Sequence, residues 1–429
     1  MTLVRIALAL SVFAPAAALG CSSTEVDIEP RTIDAGEDAP PSPPPPSPPP
    51  DDAGSIDAAR PDVRPASRLE VVCAKTPCYT AVSGNGGGHV CGLLSDGTVR
   101  CWGRDTPGGG TPTPVVGLTD VAQISVGPNL GTCARTRDGS VHCWGKNDVG
   151  QLGRPSVEAH LAAPTRVEGL PPASHVALGG QIGCAVARDD GALWCWGARS
   201  SRVAIAAEPG TSPEFPPQRF SGFRAPVREL AIGTAPASAR MLYADTIVAL
   251  LDGDVLATLG TNPVTPLHPS APASPLPVEL LGVARAGAFG YLTRDGLLFR
   301  WMPERRALYV PYPANVVDVA ISGGIEPGVF GTSFVAQAGV LFSNGRLFRW
   351  GLNTAGALGH PPAELDIATE PLDMTHVAGD RVVSFATTVG ATCVSNVDGA
   401  VRCWGSNQYG ELGRGTADLA NHPEAEDIR

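Results

Sequence analysis

Eleven cysteines and eight histidines are the side chains of this 429-residue chain best equipped for chemistry. Thiolates and imidazoles bind zinc, and paired thiols oxidise to disulfides. Spacing separates these readings. Cys91 and Cys101 stand ten residues apart, as do Cys133 and Cys143, and Cys393 and Cys403, while Cys184 and Cys195 stand eleven apart. No Cys-x2-Cys pair occurs and the histidines are scattered, which is not the ligand spacing of a structural zinc site, so no metal is expected. The usual catalytic signatures are also missing. There is no Gly-x-Ser-x-Gly elbow, no His-Glu-x-x-His pair and no P-loop lysine. The glycine run 84–88 precedes a strand pattern rather than a helix, so it reads as a loop and not a phosphate cradle.

The elements that must position these cysteines repeat along the chain. Asp96-Gly97, Asp138-Gly139, Asp190-Gly191, Asp252-Gly253, Asp295-Gly296, Asn344-Gly345 and Asp398-Gly399 recur at intervals of 42 to 62 residues. Alternating apolar residues flank each pair, the pattern of a β-hairpin closed by a loop that ends on a left-handed glycine. With Ser95-Asp96-Gly97 as the loop, position 94 pairs with 98, 93 with 99 and 91 with 101. Cys91 and Cys101 thus fall opposite one another, at a cross-strand Cα separation of about 4.5–5.5 Å that a disulfide spans. The same register joins Cys133 with Cys143 and Cys393 with Cys403. The longer spacing of Cys184 and Cys195 is absorbed by one extra loop residue in Asp189-Asp190-Gly191. The fifth copy holds Gly290 and Arg300 at these places, and the sixth Gly339 and Arg349. Both cysteines are absent together, as bonded partners require. Cys73 and Cys78 remain, close enough to bridge each other.

Six of the seven tryptophans share one slot after the hairpin: Trp102, Trp144, Trp196, Trp301, Trp350 and Trp404. A second element follows as Gly145-Lys-Asn-Asp-Val-Gly-Gln-Leu-Gly153, with near copies at 351–359 and 405–413. Together with Val121-Ala-Gln-Ile-Ser-Val-Gly127, these motifs resemble the repeat of the regulator of chromosome condensation family. The resemblance covers about residues 79–429 and is weakest in the fourth and fifth copies. It implies an all-β chain whose residues 69–429 form a seven-bladed β-propeller, with the tryptophans as blade-packing residues. Hairpins at this period, with no helical pattern between them, agree with blades around an axis. Closure is expected from the two chain ends sharing one blade, with residues 422–429 supplying a strand. The family's exchange-factor and chromatin roles are not expected here.

The first 68 residues read differently. Arg5 precedes an apolar run from Ile6 to Leu19, and residues 1–20 have the layout of a signal peptide. The sequence Ala18-Leu19-Gly20-Cys21 resembles the bacterial lipobox, although Ala18 stands where leucine is usual. That resemblance implies cleavage before Cys21 and diacylation of its sulfur. Ser22 and Ser23 then imply sorting to the outer membrane. Residues 21–68 are expected to be a disordered linker, acidic and proline-rich. The Pro/Ser tract 40–50 is a stiff spacer of about 34 Å at roughly 3.1 Å per residue. With Cys21 lipidated, the other ten cysteines form an even set, consistent with disulfides in an oxidising compartment.

The formal charge is −11, and residues 22–68 alone hold ten acids against four bases. An acidic body lacks the footprint of a nucleic-acid binder. The expected function is a non-catalytic cell-envelope module that needs no cofactor, touches membrane through its lipid alone and recognises a protein or envelope component on a propeller face. A polysaccharide-cleaving propeller enzyme and a structural part of an envelope complex are the alternatives. The stretch from Ala198 to Asp245, with Phe215, Phe220 and Phe223, is either an interaction loop or a degenerate outer strand with a surface excursion. Ligand identity and oligomeric state are left open.

Overall fold

Asp-Gly turns set the architecture. Gly97 takes φ 79°, which a side chain disfavours, while Asp96 Oδ1 accepts the amide of Thr98 at 3.0 Å and locks the turn. Equivalent carboxylate or amide oxygens of Asp138, Asp190, Asn344 and Asp398 accept the amides of Ser140, Ala192, Arg346 and Ala400. The carboxyls of Asp96 and Asp138 consequently titrate below the ordinary range, that of Asp138 at about 2, chiefly through hydrogen bonds from Thr98 and Thr136 respectively. Each turn fixes its register. Leu93 pairs with Val99 and Cys91 with Cys101, and Gly339 pairs with Arg349 and Gly290 with Arg300. In the fourth copy the turn has slipped. Leu251 pairs with Val255, so Gly253 lies in the middle of the loop rather than at its end.

The computed structural model describes residues 67–198, 214–220, 222–223, 225–236, 243–253, 255–260, 278–280, 283–287, 290–293, 297–300, 308–309, 315–328, 331–388 and 390–428. The signal segment, Cys21, nearly all of the linker and Trp301 lie outside the described residues. Seven antiparallel sheets of four strands follow one another along the chain. We number them as blades 1 to 7, spanning residues 79–114, 121–166, 173–220, 227–280, 283–309, 316–373 and 382–427. In every blade the strand order follows the sequence. The inner strands are Tyr79–Gly84, Val121–Val126, Ala173–Leu178, Val227–Pro236, Val283–Gly287, Val316–Gly328 and Val382–Thr387. Each neighbours the next, and the seventh packs against the first. The chain is therefore an all-β, seven-bladed propeller, with Thr375–Ala378 its one α-helix among the described residues.

Ring closure departs from expectation. Residues 422–428 do not complete blade 1, because Asn421–Asp427 is the outer strand of blade 7 itself. No blade is shared. One hydrogen bond recurs at the seams instead. The amides entering the inner strands at Val121, Ala173, Val227 and Val382 donate to the glycine carbonyls of the preceding hairpins, Gly97, Gly139, Gly191 and Gly345. At closure Tyr79 donates to Gly399 O at 3.1 Å in the same way. Residues before blade 1 strengthen that seam, since Val72 and Ala74 donate to the carbonyls of Val397 and Asp398, and Arg68 reaches further to pair with Asp318 of blade 6.

The core lies between blades rather than within them, because a single sheet cannot bury its own face. Cys133, Cys143 and Leu152 of blade 2 pack with Val176, Ala185 and Trp196 of blade 3. Blade 7 presents Cys393, Cys403 and Leu412 to Val90 and Trp102 of blade 1.

Candidate functional site: blade seams and central channel

The repeat motif builds its seam from an asparagine. Asn147 is fully buried in the tail that follows the blade 2 hairpin. Its Oδ1 accepts the Leu152 amide at 3.0 Å, and its Nδ2 lies 3.1 Å from each of the carbonyls of Arg154, Pro155 and Glu158. One side chain thereby folds the whole loop. Asn353 repeats this toward Leu358, His360 and Leu365, and Asn407 toward Leu412, Thr416 and Asp418. The folded tail leaves one carbonyl facing the next blade. Gln151 O receives Trp196 Nε1 at 2.9 Å, Ala357 O receives Trp404 Nε1 at 2.9 Å, and Glu411 O receives Trp102 Nε1 at 2.8 Å. Each tryptophan is a latch on the preceding blade.

The remaining tryptophans show what the latch depends on. Blade 1 carries Gly103-Arg-Asp-Thr-Pro-Gly in place of the tail, and Trp144 of blade 2 is only half-buried. Trp350 is buried, but its Nε1 has no hydrogen-bond partner among the described residues.

The structure brings the ten body cysteines together in five pairs. Cα atoms of Cys91 and Cys101, Cys133 and Cys143, and Cys184 and Cys195 are each 4.1 Å apart, those of Cys393 and Cys403 4.2 Å, and those of Cys73 and Cys78 5.6 Å, and all five are disulfide-bonded. The four cross-strand bridges each lie in the apolar cluster shared with the following blade. In blade 6 the slot holds Arg349, fully buried, which donates to Ala357 O, Gln337 Oε1 and Thr392 Oγ1. Burial pushes its guanidinium down.

His89 faces the seam between blades 1 and 2. Its Nε2 lies 3.0 Å from Thr132 Oγ1 and its Nδ1 is buried without a partner among the described residues. Burial lowers its pKa from 6.5 to about 4. The unfolded chain therefore takes up a proton that the folded chain refuses. Stability is full above pH 6.5 and falls as the pH drops toward 4. The expected loss is about 3 kcal/mol at 1.36 kcal/mol per pH unit. Gln337 fills the equivalent place in blade 6, opposite Gly351 as His89 is opposite Gly103. His89→Gln should flatten this part of the pH–stability curve. Urea unfolding of both proteins at several pH values tests this, and parallel curves would contradict it.

The stretch 198–245 is largely structural where it is described. Glu214–Phe220 is the outer strand of blade 3 and Val227–Pro236 the inner strand of blade 4. Phe220 and Phe223 meet edge to face at 4.8 Å between ring centroids and pack, half-buried, on the blade 3–4 core. Residues 199–213 and 237–242 lie outside the described residues.

A cavity of 490 Å³ opens at the hairpin end of the central channel. Polar side chains of the inner strands cross-link its walls. Ser384 Oγ accepts the Val82 amide, Ser83 Oγ accepts the Val126 amide, and Gln123 exchanges two hydrogen bonds with the Val176 backbone. Arg135 and His175 also line it. Among the described residues no group of three or more His, Cys, Asp or Glu could hold a metal ion. Sequence reasoning passed over these wall residues, whose signal is polar side chains set within otherwise apolar inner strands.

Seven four-stranded blades around a polar channel, three of them latched to the preceding blade by a tryptophan, define a β-propeller. Residues 138–186 match the model of the regulator of chromosome condensation (RCC1) repeat, and residues 80–107 and 121–151 match a second model of that repeat. The chain carries RCC1 repeats. Its fold is similar to that of Prp20p from Saccharomyces cerevisiae, with a TM-score of 0.60 at 17% identity over 79% of this chain and 87% of that one. The structure of Kap60 bound to yeast RCC1 (Prp20) gives the same TM-score of 0.60 and identity of 17%, over 79% of this chain and 85% of the other. Human WBSCR16 is similar with a TM-score of 0.57 at 17% identity, over 74% of this chain and 85% of its own.

Proposed function

We propose that this chain is a non-catalytic binding module of the cell envelope, tethered by lipid on Cys21 and held off the membrane by the proline tract at 40–50. One observation carries the reading. The repeated asparagines, tryptophans and cysteines that could have done chemistry are spent on blade seams, which leaves the faces and inter-strand loops for recognition. Propellers of this repeat commonly bind proteins, and the reports of the similar structures describe Prp20p as binding Gsp1p and histones and as bound by Kap60. Those partners belong to those proteins. Here the acidic charge disfavours nucleic acid, and the signal-like start favours an envelope component.

The test is capture from isolated envelopes with the full chain, beside a variant whose residues 199–213 are replaced by a Gly/Ser linker. One component should be retained in stoichiometric amount by the parent and lost by the variant. Palmitate should label the parent and not Cys21→Ala. Failure to retain any envelope component, or release of reducing ends from envelope polysaccharide by the purified chain, would overturn the reading.

A further inference from the structure

Charge in the channel runs against the charge of the molecule. The chain carries −11, yet the cavity wall holds two guanidinium groups, Arg68 and Arg135, against one carboxylate, Asp318, while burial and the charge of Arg135 push the pKa of His175 down. Arg68 and Asp318 neutralise each other at 2.6 Å and stand at the rim, with side chains 43% and 29% exposed. That leaves Arg135. Its Nε lies 3.4 Å from Gln123 Oε1 and its Nη1 3.3 Å from Thr136 O, both long, and its Nη2 makes no hydrogen bond among the described residues. No carboxylate pairs with it there. The side chain is half-buried, and the like charge of Arg188 adds to its burial in disfavouring the cation. A second donor waits beside it. Ser174 Oγ meets Nδ1 of His175 at 3.2 Å, and Nε2 of that ring is uncommitted among the described residues.

We infer that the hairpin end of the channel is a binding site for a small organic carboxylate. The fork of Arg135 receives the carboxylate, His175 contributes a second hydrogen bond, and Ser83, whose Oγ accepts the Val126 amide, keeps its hydroxyl proton for a ligand hydroxyl. A half-buried guanidinium without a counter-ion gains most from an anion that accepts two parallel hydrogen bonds, which a carboxylate does. The volume of 490 Å³ falls in the small-ligand range of roughly 300–1,000 Å³. This inference concerns a small molecule in the channel and stands apart from the envelope partner proposed for a propeller face.

Calorimetric titration of the full chain with glucuronate, at fixed ionic strength and pH 7, tests it, with glucose as the uncharged control. Glucuronate should bind and glucose should not. Arg135→Lys keeps the charge without the fork and should weaken binding about tenfold, whereas Arg135→Gln should weaken it about a hundredfold. His175→Gln should cost several-fold. Circular dichroism establishes that each variant is folded, and if Arg135→Gln does not fold, Arg135→Lys decides. No heat with glucuronate, equal binding of glucose, or affinity unchanged in the folded Arg135 variants would overturn the assignment.

Discussion

Replacing Trp404 by alanine is expected to destabilise the folded chain by about 3–5 kcal/mol, the usual cost of emptying a large buried aromatic site. The side chain is fully buried between blades 6 and 7, and its Nε1 donates to Ala357 O. Truncation would open a cavity among Leu341, Leu347, Phe385 and Val394 and remove a hydrogen bond across the seam. Trp144→Ala should cost less than half as much. That ring is half-buried, packs against the blade 1–2 cluster as a partial neighbour, and meets no folded tail, because blade 1 lacks one. Urea unfolding of both variants measures the contrast. Equal losses would show that the tail carbonyl contributes nothing and that burial of any repeat tryptophan suffices.

Removing the Cys133–Cys143 bridge by double substitution to alanine should cost about 3 kcal/mol. Closing so short a loop restricts the unfolded chain by that amount in the loop-entropy account. Both sulfurs also sit in the core shared with blade 3, fully buried, so lost packing adds to the entropic term. The Cys73–Cys78 bridge closes a shorter loop, separation 5 against 10, and should matter less to stability in the same measurement. Alkylation of the unfolded chain without reductant should modify none of the ten body cysteines. Several alkylated thiols would contradict the pairing on which the estimate rests.

Much of this was legible because turn chemistry and strand register are local. Gly97 and Asp96 fix which residues face each other, and the pairing of Cys91 with Cys101 follows by counting. Position opposite a partner strand was also readable where cysteine was absent, as at Gly339 and Arg349. What Arg349 does was not, since its partners Gln337, Ala357 and Thr392 come from other strands and the next blade. The same limit hid the latch. The tryptophan slot is plain in the sequence, but its acceptor lies in the tail of the preceding copy, or, for Trp102, at Glu411 near the other end of the chain. Asn147, Asn353 and Asn407 stood in the motif without a role, because their hydrogen bonds close loops of differing length. Ring closure was misjudged for a related reason. Nothing local distinguishes a strand that completes its own blade from one that completes the first, and the bond from Tyr79 to Gly399 O that makes the seam is a backbone contact without a side-chain signature. Of the two readings open for the stretch 198–245, the outer strand holds at Glu214–Phe220, while the packing of Phe220 and Phe223 against Val227, Ile232 and Ile247 depends on two blades meeting and has no local signature.

Hydrogen exchange at the tryptophan indoles, followed by NMR, tests the latched ring most directly. The indole protons of Trp102, Trp196 and Trp404 should exchange slowly, at rates that track global unfolding, while those of the half-buried Trp144 and Trp194 exchange fast. If all the indoles exchanged rapidly and alike, the tryptophans would not be seated on the preceding blades, and the account of how this ring holds together would be wrong.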